Sequence, residues 1–259
     1  MKIVAIANQK GGVGKTTTTI SLAGLVADRG ERALVVDLDP HGSLTAYLGF
    51  DPESNDPSVY ELFTGSVAVE TLVRQTPVEG LSLLPASTAL ATLDRQLGSR
   101  SGMGLVLRRA IQRLEGQFDY VFVDCPPVLG VLMVNALAAC QRLLVPVQTE
   151  FLALKGLERM VNTLRMIQRS RSSELPYTIV PTLFDRRTRA SADALEELRA
   201  HYPDQIWKDA VPIDTQFREA SRAGLPLTVM QPWARGSQAY RRLLQALERD
   251  LVEEDAVHG

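Results

Sequence analysis

Ten residues near the N-terminus constrain this chain more than any other feature: Asn8-Gln9-Lys10-Gly11-Gly12-Val13-Gly14-Lys15-Thr16-Thr17. They follow an apolar run, Lys2–Ala7, and open a helical pattern over 15–28. Glycines there let the backbone fold around an anion with several N–H groups pointing inward, and the start of the next helix adds its positive dipole end. In such a loop Gly11, Gly12, Val13 and Gly14 supply main-chain donors and Thr17 stands in the first helical turn. Lys15 reaches the β- and γ-phosphates, and the Thr16 hydroxyl ligates Mg²⁺. The usual pattern of Gly, four residues and Gly-Lys-Thr is broken in one place. Gln9 holds the first glycine position, and a second lysine, Lys10, lies inside the loop.

The rest of the chain alternates short β-rich runs with helical patterns, as a parallel sheet flanked by helices requires. Strands are predicted at Lys2–Ala7, Ala33–Asp37, Leu81–Pro85, Tyr120–Asp124, Leu143–Val147 and Tyr177–Pro181, all apolar enough to be covered on both faces. Helices are predicted near 15–28, 103–114, 130–139, 153–169, 189–200 and 238–251, the last with Leu243, Leu244, Leu247 and Leu251 on one side. The expected fold class is α/β, a three-layer P-loop NTPase fold with a mostly parallel central sheet. Without repeats or a Ser/Gly linker, residues 1–259 read as one domain.

Asp124, Pro126, Pro127 and Asn135 interrupt the most apolar stretch, 121–140, so neither a bilayer span nor a leader is expected. The expected location is cytoplasmic. Cys125 and Cys140 read as small buried residues in a reducing compartment. A net charge of −2 excludes a globally basic nucleic-acid binder, but residues 155–190 carry eight basic and three acidic side chains.

Acidic residues fall where a metal and an attacking water need them. Asp37 and Asp39 end the second strand in Val35-Val36-Asp37-Leu38-Asp39-Pro40-His41. Residues at i and i+2 of an extended chain face one side, so one carboxylate can hold the metal's water shell while the other orients the nucleophile. Asp124, at the tip of Tyr120-Val121-Phe122-Val123-Asp124, matches the Walker B arrangement and would hold Mg²⁺ through water. His41 is assigned no role.

Lys-Gly-Gly-Val-Gly-Lys-Thr-Thr resembles the deviant phosphate loop of the ParA/MinD family of dimeric ATPases, and the likeness runs over essentially the whole chain. The resemblance implies ATP and Mg²⁺ as cofactors and an ATP-dependent homodimer in which Lys10 reaches the partner's nucleotide. Lys10, Lys15 and Asp39 are then the catalytic residues; Asp39 also acts on the metal through water, and Asp37 supports it. Pro212 and Asp214, in Val211-Pro212-Ile213-Asp214, match the adenine-contacting loop; the alternative there is a proline-bearing turn before a helix. The family usually has Gln where this chain has His41.

The acidic segment Glu253-Glu254-Asp255 argues against a membrane-binding tail, and no helix-turn-helix is expected ahead of the first strand. Non-specific DNA is the surface left. Lys155, Arg159, Arg165 and Arg169 share one face of the 153–169 helix, opposite Leu157, Met160, Val161, Leu164 and Ile167. Arg218 and Arg222 would extend that face; it also reads as a solvated helix surface. Segments 211–224, 37–49 and 83–93 resemble ParC, the ParA-like ATPase that positions chemotaxis arrays. That implies a ParP-like adaptor and a polar hub protein, and the alternative is a ParB-like adaptor in chromosome or plasmid partition. A MinD-related ligase would need its own substrate pocket, and an electron carrier would need its cysteines at a dimer interface.

Overall fold

The computed structural model describes residues 1–65, 67–93, 96, 103–169 and 174–258, with side chains as far as Glu253. Seven strands form one sheet: β1 (Lys2–Ile6), β2 (Ala33–Asp37), β3 (Arg74–Gln75), β4 (Leu81–Leu84), β5 (Tyr120–Asp124), β6 (Arg142–Gln148) and β7 (Tyr177–Thr182). Their order is β3-β4-β2-β5-β1-β6-β7. Every pairing is parallel except β3 with β4. All six predicted strands are present. The two-residue β3, an antiparallel edge piece, is too short to leave a period in the sequence.

Successive residues of β1 pass to opposite apolar clusters: Ile3 and Ala5 to one, Val4 and Ile6 to the other. Both faces are covered, which explains why these strands read as continuous apolar runs. Over one face lie the helices Val106–Arg113, Val131–Ala139 and Ala153–Gln168; over the other lie Lys15–Asp28 and Arg235–His258. Leu243, Leu244, Leu247 and Leu251 are all buried, as predicted, on a helix longer than the expected 238–251. The pattern near 103–114 opens with a 3₁₀ turn, Met103–Leu105, before its α-helix. The short helices Ser43–Tyr47, Tyr60–Thr64 and Leu227–Met230 were not foreseen. One or two turns do not repeat a 3.6-residue period often enough to show it. Among the described residues no helix is long and apolar enough to cross a membrane.

Helix Lys15–Asp28 is seated by a notch. Gly24 faces Pro226, and a Cβ there would lie 2.5 Å from Pro226 Cβ and 2.8 Å from Thr228 Oγ1. The Thr228 hydroxyl donates to the Ser21 carbonyl at 3.1 Å, so it is not free to withdraw. Replacing a helical glycine ordinarily gains up to about 1 kcal/mol, whereas overpacking costs about 1–3 kcal/mol. The clash wins here. Gly24→Ala is expected to destabilise the chain by about 1–2 kcal/mol, read as a lower urea midpoint at unchanged m-value.

Candidate functional site

Parallel register assembles the site from three strand ends. Asp37 of β2 lies opposite Asp124 of β5, and Asp124 lies opposite Ile6, where β1 runs into the glycine loop. Gly12 and Gly14 take φ of 74° and 89°, a region that favours glycine. The helix starts at Lys15 without a side-chain cap, so its first N–H groups are left for a ligand. Neighbouring strands brace the loop. Thr182 Oγ1 at the end of β7 donates to the Val13 carbonyl at 2.8 Å. Asn8 Nδ2 donates to the Pro146 carbonyl at 2.7 Å, and Asn8 Oδ1 accepts the Lys10 N–H at 3.1 Å.

Lys15 is buried, and its ammonium donates to the Lys10 carbonyl at 3.2 Å. Lys10 turns its own ammonium to Glu150 of the same chain. Thr16 Oγ1 donates to Asp124 Oδ2 at 2.6 Å, while Asp124 Oδ1 is buried with no hydrogen-bond partner among the described residues. Burial pushes the Asp124 carboxyl well above the usual carboxylate range, helped by the charge of Asp37 and opposed by the Thr16 bond and Lys15. An orphaned buried carboxylate oxygen costs about 1–3 kcal/mol or more, and a hard cation would relieve it. Thr16 and Asp124 are oxygen donors of the kind Mg²⁺ takes, with waters and phosphate oxygens completing its shell. The residues fit that ion. Among the described residues no cluster of three His, Cys, Asp or Glu side chains converges.

The paired carboxylates correct the sequence reading. β2 stops at Asp37, so strand alternation does not carry on to Asp39. Fully buried Asp37 accepts from Thr45 N and Thr45 Oγ1, both at 2.8 Å, and from the Asp39 N–H at 3.1 Å. It anchors the loop and does not open toward a ligand. Burial lifts its carboxyl to about 6, against the hydrogen bonds from Thr45 and Asp39. Asp39 sits past the strand, and its Oδ1 accepts the His41 N–H at 3.0 Å and lies 2.8 Å from His41 Nδ1. Sequence reasoning missed Thr45, Thr182, Glu150 and the His41 contact. Of these, only the Asp-Pro-His-Gly turn left a local signal.

Pro212 sits where Phe184 pairs with it, and Phe184 exchanges backbone bonds with Val211 and Ile213 at 3.0 and 3.1 Å. Beside them opens a cleft of about 580 Å³ walled by Phe184, Pro212, Ile213, Trp233, Arg186 and Arg235. Asp214 is not one of its walls. Its Oδ1 accepts the Gln216 N–H and its Oδ2 the Gly236 N–H, both at 3.1 Å, so it ties two helix starts together.

Lys155, Arg159, Arg165 and Arg169 are exposed, and Leu157, Met160, Val161 and Leu164 are buried, as the helical period predicted. Arg218 and Arg222 are also exposed. However, the helix carrying the first group packs on one apolar cluster, whereas Phe217 beside the second packs on the other. The two groups therefore lie over opposite faces of the sheet, and within one chain they do not form the continuous row expected. Cys125 and Cys140 are both buried, and burial raises the Cys125 thiol.

A strand, a glycine loop, an uncapped helix opening with Lys-Thr, and a strand-tip Asp bonded to that Thr define a P-loop nucleoside triphosphatase. The chain matches the family described as AAA domain over residues 1–177. It is 35% identical over 259 residues to the sporulation initiation inhibitor protein Soj of Bacillus subtilis, covering 100% of this chain and 99% of that one. It is 36% identical to the chromosome partitioning protein ParA of Caulobacter vibrioides, with 96% of each covered. A crystal structure of cobyrinic acid a,c-diamide synthase from Mycobacterium smegmatis, with bound ATP analog and magnesium, superposes with a TM-score of 0.84 at 37% identity, covering 96% and 95%. The chain belongs to the ParA/MinD family of P-loop ATPases.

Asp37 makes the bare site pH-sensitive. Its folded value, about 6, lies above the ordinary 3.8, so its contribution to stability is fully present below about pH 4 and is lost as pH rises through 6. Urea unfolding of the nucleotide-free protein between pH 4 and 7 is expected to show that decline. Asp37→Asn is expected to make it shallower, with Asp124 keeping its own raised carboxyl.

Proposed function

We propose that the chain is an ATP-dependent dimerising switch that positions or segregates a cellular cargo, spending ATP and Mg²⁺ in a slow hydrolytic cycle. The observation that carries this reading is the Thr16–Asp124 bond beside an uncapped helix start and a buried Lys15. Lys15 and the amides of residues 11–17 bind the phosphates, Thr16 and Asp124 hold the metal, and Asp39 orients the attacking water. Bound Mg²⁺ supplies charge stabilisation to the transferring phosphoryl group. Pro212 flanks the base, and Asp214 shapes its loop from behind. In this reading Lys10 leaves Glu150 when two nucleotide-loaded copies meet and reaches the partner's phosphates, the deviant feature of the loop. Nucleotide state then sets which partner is bound.

The favoured cargo is a chemotaxis array held at the cell pole of the cytoplasm through a ParP-like adaptor and a polar hub protein, supported by the ParC-like segments 211–224, 37–49 and 83–93. Chromosome or plasmid partition with a ParB-like adaptor and non-specific DNA is the second reading. The Soj and ParA relatives and the exposed Arg218–Arg222 pair favour it. A ligase reading, prompted by the synthase structure, requires turnover to depend on an added carboxylic acid acceptor.

Lys15→Ala is expected to abolish ATP binding. Asp39→Ala is expected to bind ATP without hydrolysing it and to accumulate as a dimer in size-exclusion chromatography, and Lys10→Ala to bind ATP yet stay monomeric. A monomeric, ATP-hydrolysing Asp39→Ala would sink the switch.

Random-sequence duplex titrated with the ATP-locked Asp39→Ala protein tests the DNA surface, and tight binding is compatible with both cargoes. If DNA is the surface, Arg218→Glu with Arg222→Glu weakens binding alike for all sequences. The slope of log affinity against log salt becomes shallower by roughly one unit for each phosphate no longer neutralised. No binding at low salt favours the polar reading.

A further inference from the structure

The imidazole of His41 touches the one carboxylate on which the proposed hydrolysis turns. Asp39-Pro40-His41-Gly42 is a tight turn, closed by the Gly42 N–H donating to the Asp39 carbonyl at 2.8 Å. Asp at the first corner, Pro at the second and Gly at the fourth suit a type I turn. Gly42 is required on two counts: its φ is 61°, and a Cβ there would lie 2.3 Å from Pro52 Cβ. The turn is therefore held from outside, and the position of His41 follows from it.

Two donors of His41 converge on one oxygen. The main-chain N–H reaches Asp39 Oδ1 at 3.0 Å, and ring Nδ1 lies 2.8 Å from the same atom. The Asp39 backbone is fixed separately, through its N–H to Asp37 Oδ1 at 3.1 Å. Asp37 is held in turn by Thr45. Buried groups thus place the Asp39 main chain, while its carboxylate torsion depends on His41. With Oδ1 engaged twice, Oδ2 has no hydrogen-bond partner among the described residues and is the oxygen left for a water.

We propose that His41 is a positioning residue for Asp39: its Nδ1–H holds Oδ1 so that Oδ2 faces the attacking water. This inference rests on the reading of Asp39 given above. His41 acts through Asp39 in this proposal. Its side chain is 79% exposed against 16% for Asp39, so removing the ring leaves no cavity and does not threaten the fold.

Four substitutions and one reference test it in the full chain, by steady-state ATP hydrolysis, equilibrium ATP binding and urea unfolding. His41→Ala and His41→Leu remove the donor, and each is expected to lower kcat about tenfold, the weight of one hydrogen bond to a charged group. KM for ATP, ATP affinity and the urea midpoint should stay near wild type. His41→Asn places an N–H donor at the distance from the main chain that Nδ1 occupies, and it is expected to restore most of the lost kcat. His41→Gln carries its amide one bond too far and should recover less. Turnover of His41→Ala and His41→Leu within twofold of wild type, with Asp39→Ala inactive, would overturn the positioning role and leave the Asp39 reading standing. So would His41→Asn no better than His41→Leu. An active Asp39→Ala would overturn both.

Discussion

Placing β5 between β1 and β2 is the arrangement on which everything else in this molecule depends. The three strands run parallel in one register, so Ile6, Asp37 and Asp124 arrive at the same level of the sheet. From that level the chain leaves β1 as a glycine loop, leaves β2 as the Asp39 turn, and ends β5 on a carboxylate. The Thr16–Asp124 bond at 2.6 Å joins the first of these to the third. A shift of one residue in any pairing would turn the strand-tip side chain to the other face. Both faces of this sheet are packed, so that shift is strongly opposed.

Electrostatics explain why such a site waits for a ligand. Asp37 and Asp124 are buried side by side, and Lys15 is the buried cation beside them. Asp37 is stabilised by three hydrogen-bond donors and has a structural part; Asp124 keeps one oxygen without a donor. Desolvation raises both carboxyls, and in Asp124 the Thr16 bond and Lys15 offset only part of it. A bound cation would offset the charge of the two buried carboxylates, which Lys15 alone does not balance. Binding energy and folding energy are therefore linked at this edge of the sheet.

Much of this was legible in the residues. Continuous apolar runs announced six of the seven strands, because parallel strands covered on both faces leave no polar alternation. The loop from Asn8 to Thr17 declared its phosphate chemistry, since glycine conformations and a Lys-Thr helix start are local requirements. Leucines at 243, 244, 247 and 251 named the buried side of the last helix, and the basic side of 153–169 was read off the same period.

Other features answer to distances that a linear pattern does not contain. Asp37 and Asp39 look like an equivalent pair in the sequence, yet the strand ends between them. Thr45, eight residues on, claims the first, and His41 touches the second. The two basic groups each have a helical period, but their helices pack on opposite faces of the sheet, which no period on either helix reveals. Lys10 meets Glu150, and Val13 meets Thr182, across separations of 140 and 169 residues. The sequence by itself determined strand order of appearance, the phosphate loop and the helix faces, because these rest on backbone geometry within a few residues. Tertiary structure alone decided which carboxylate is anchored, which is left open and which side each charge occupies, because those depend on chain segments that only packing brings together.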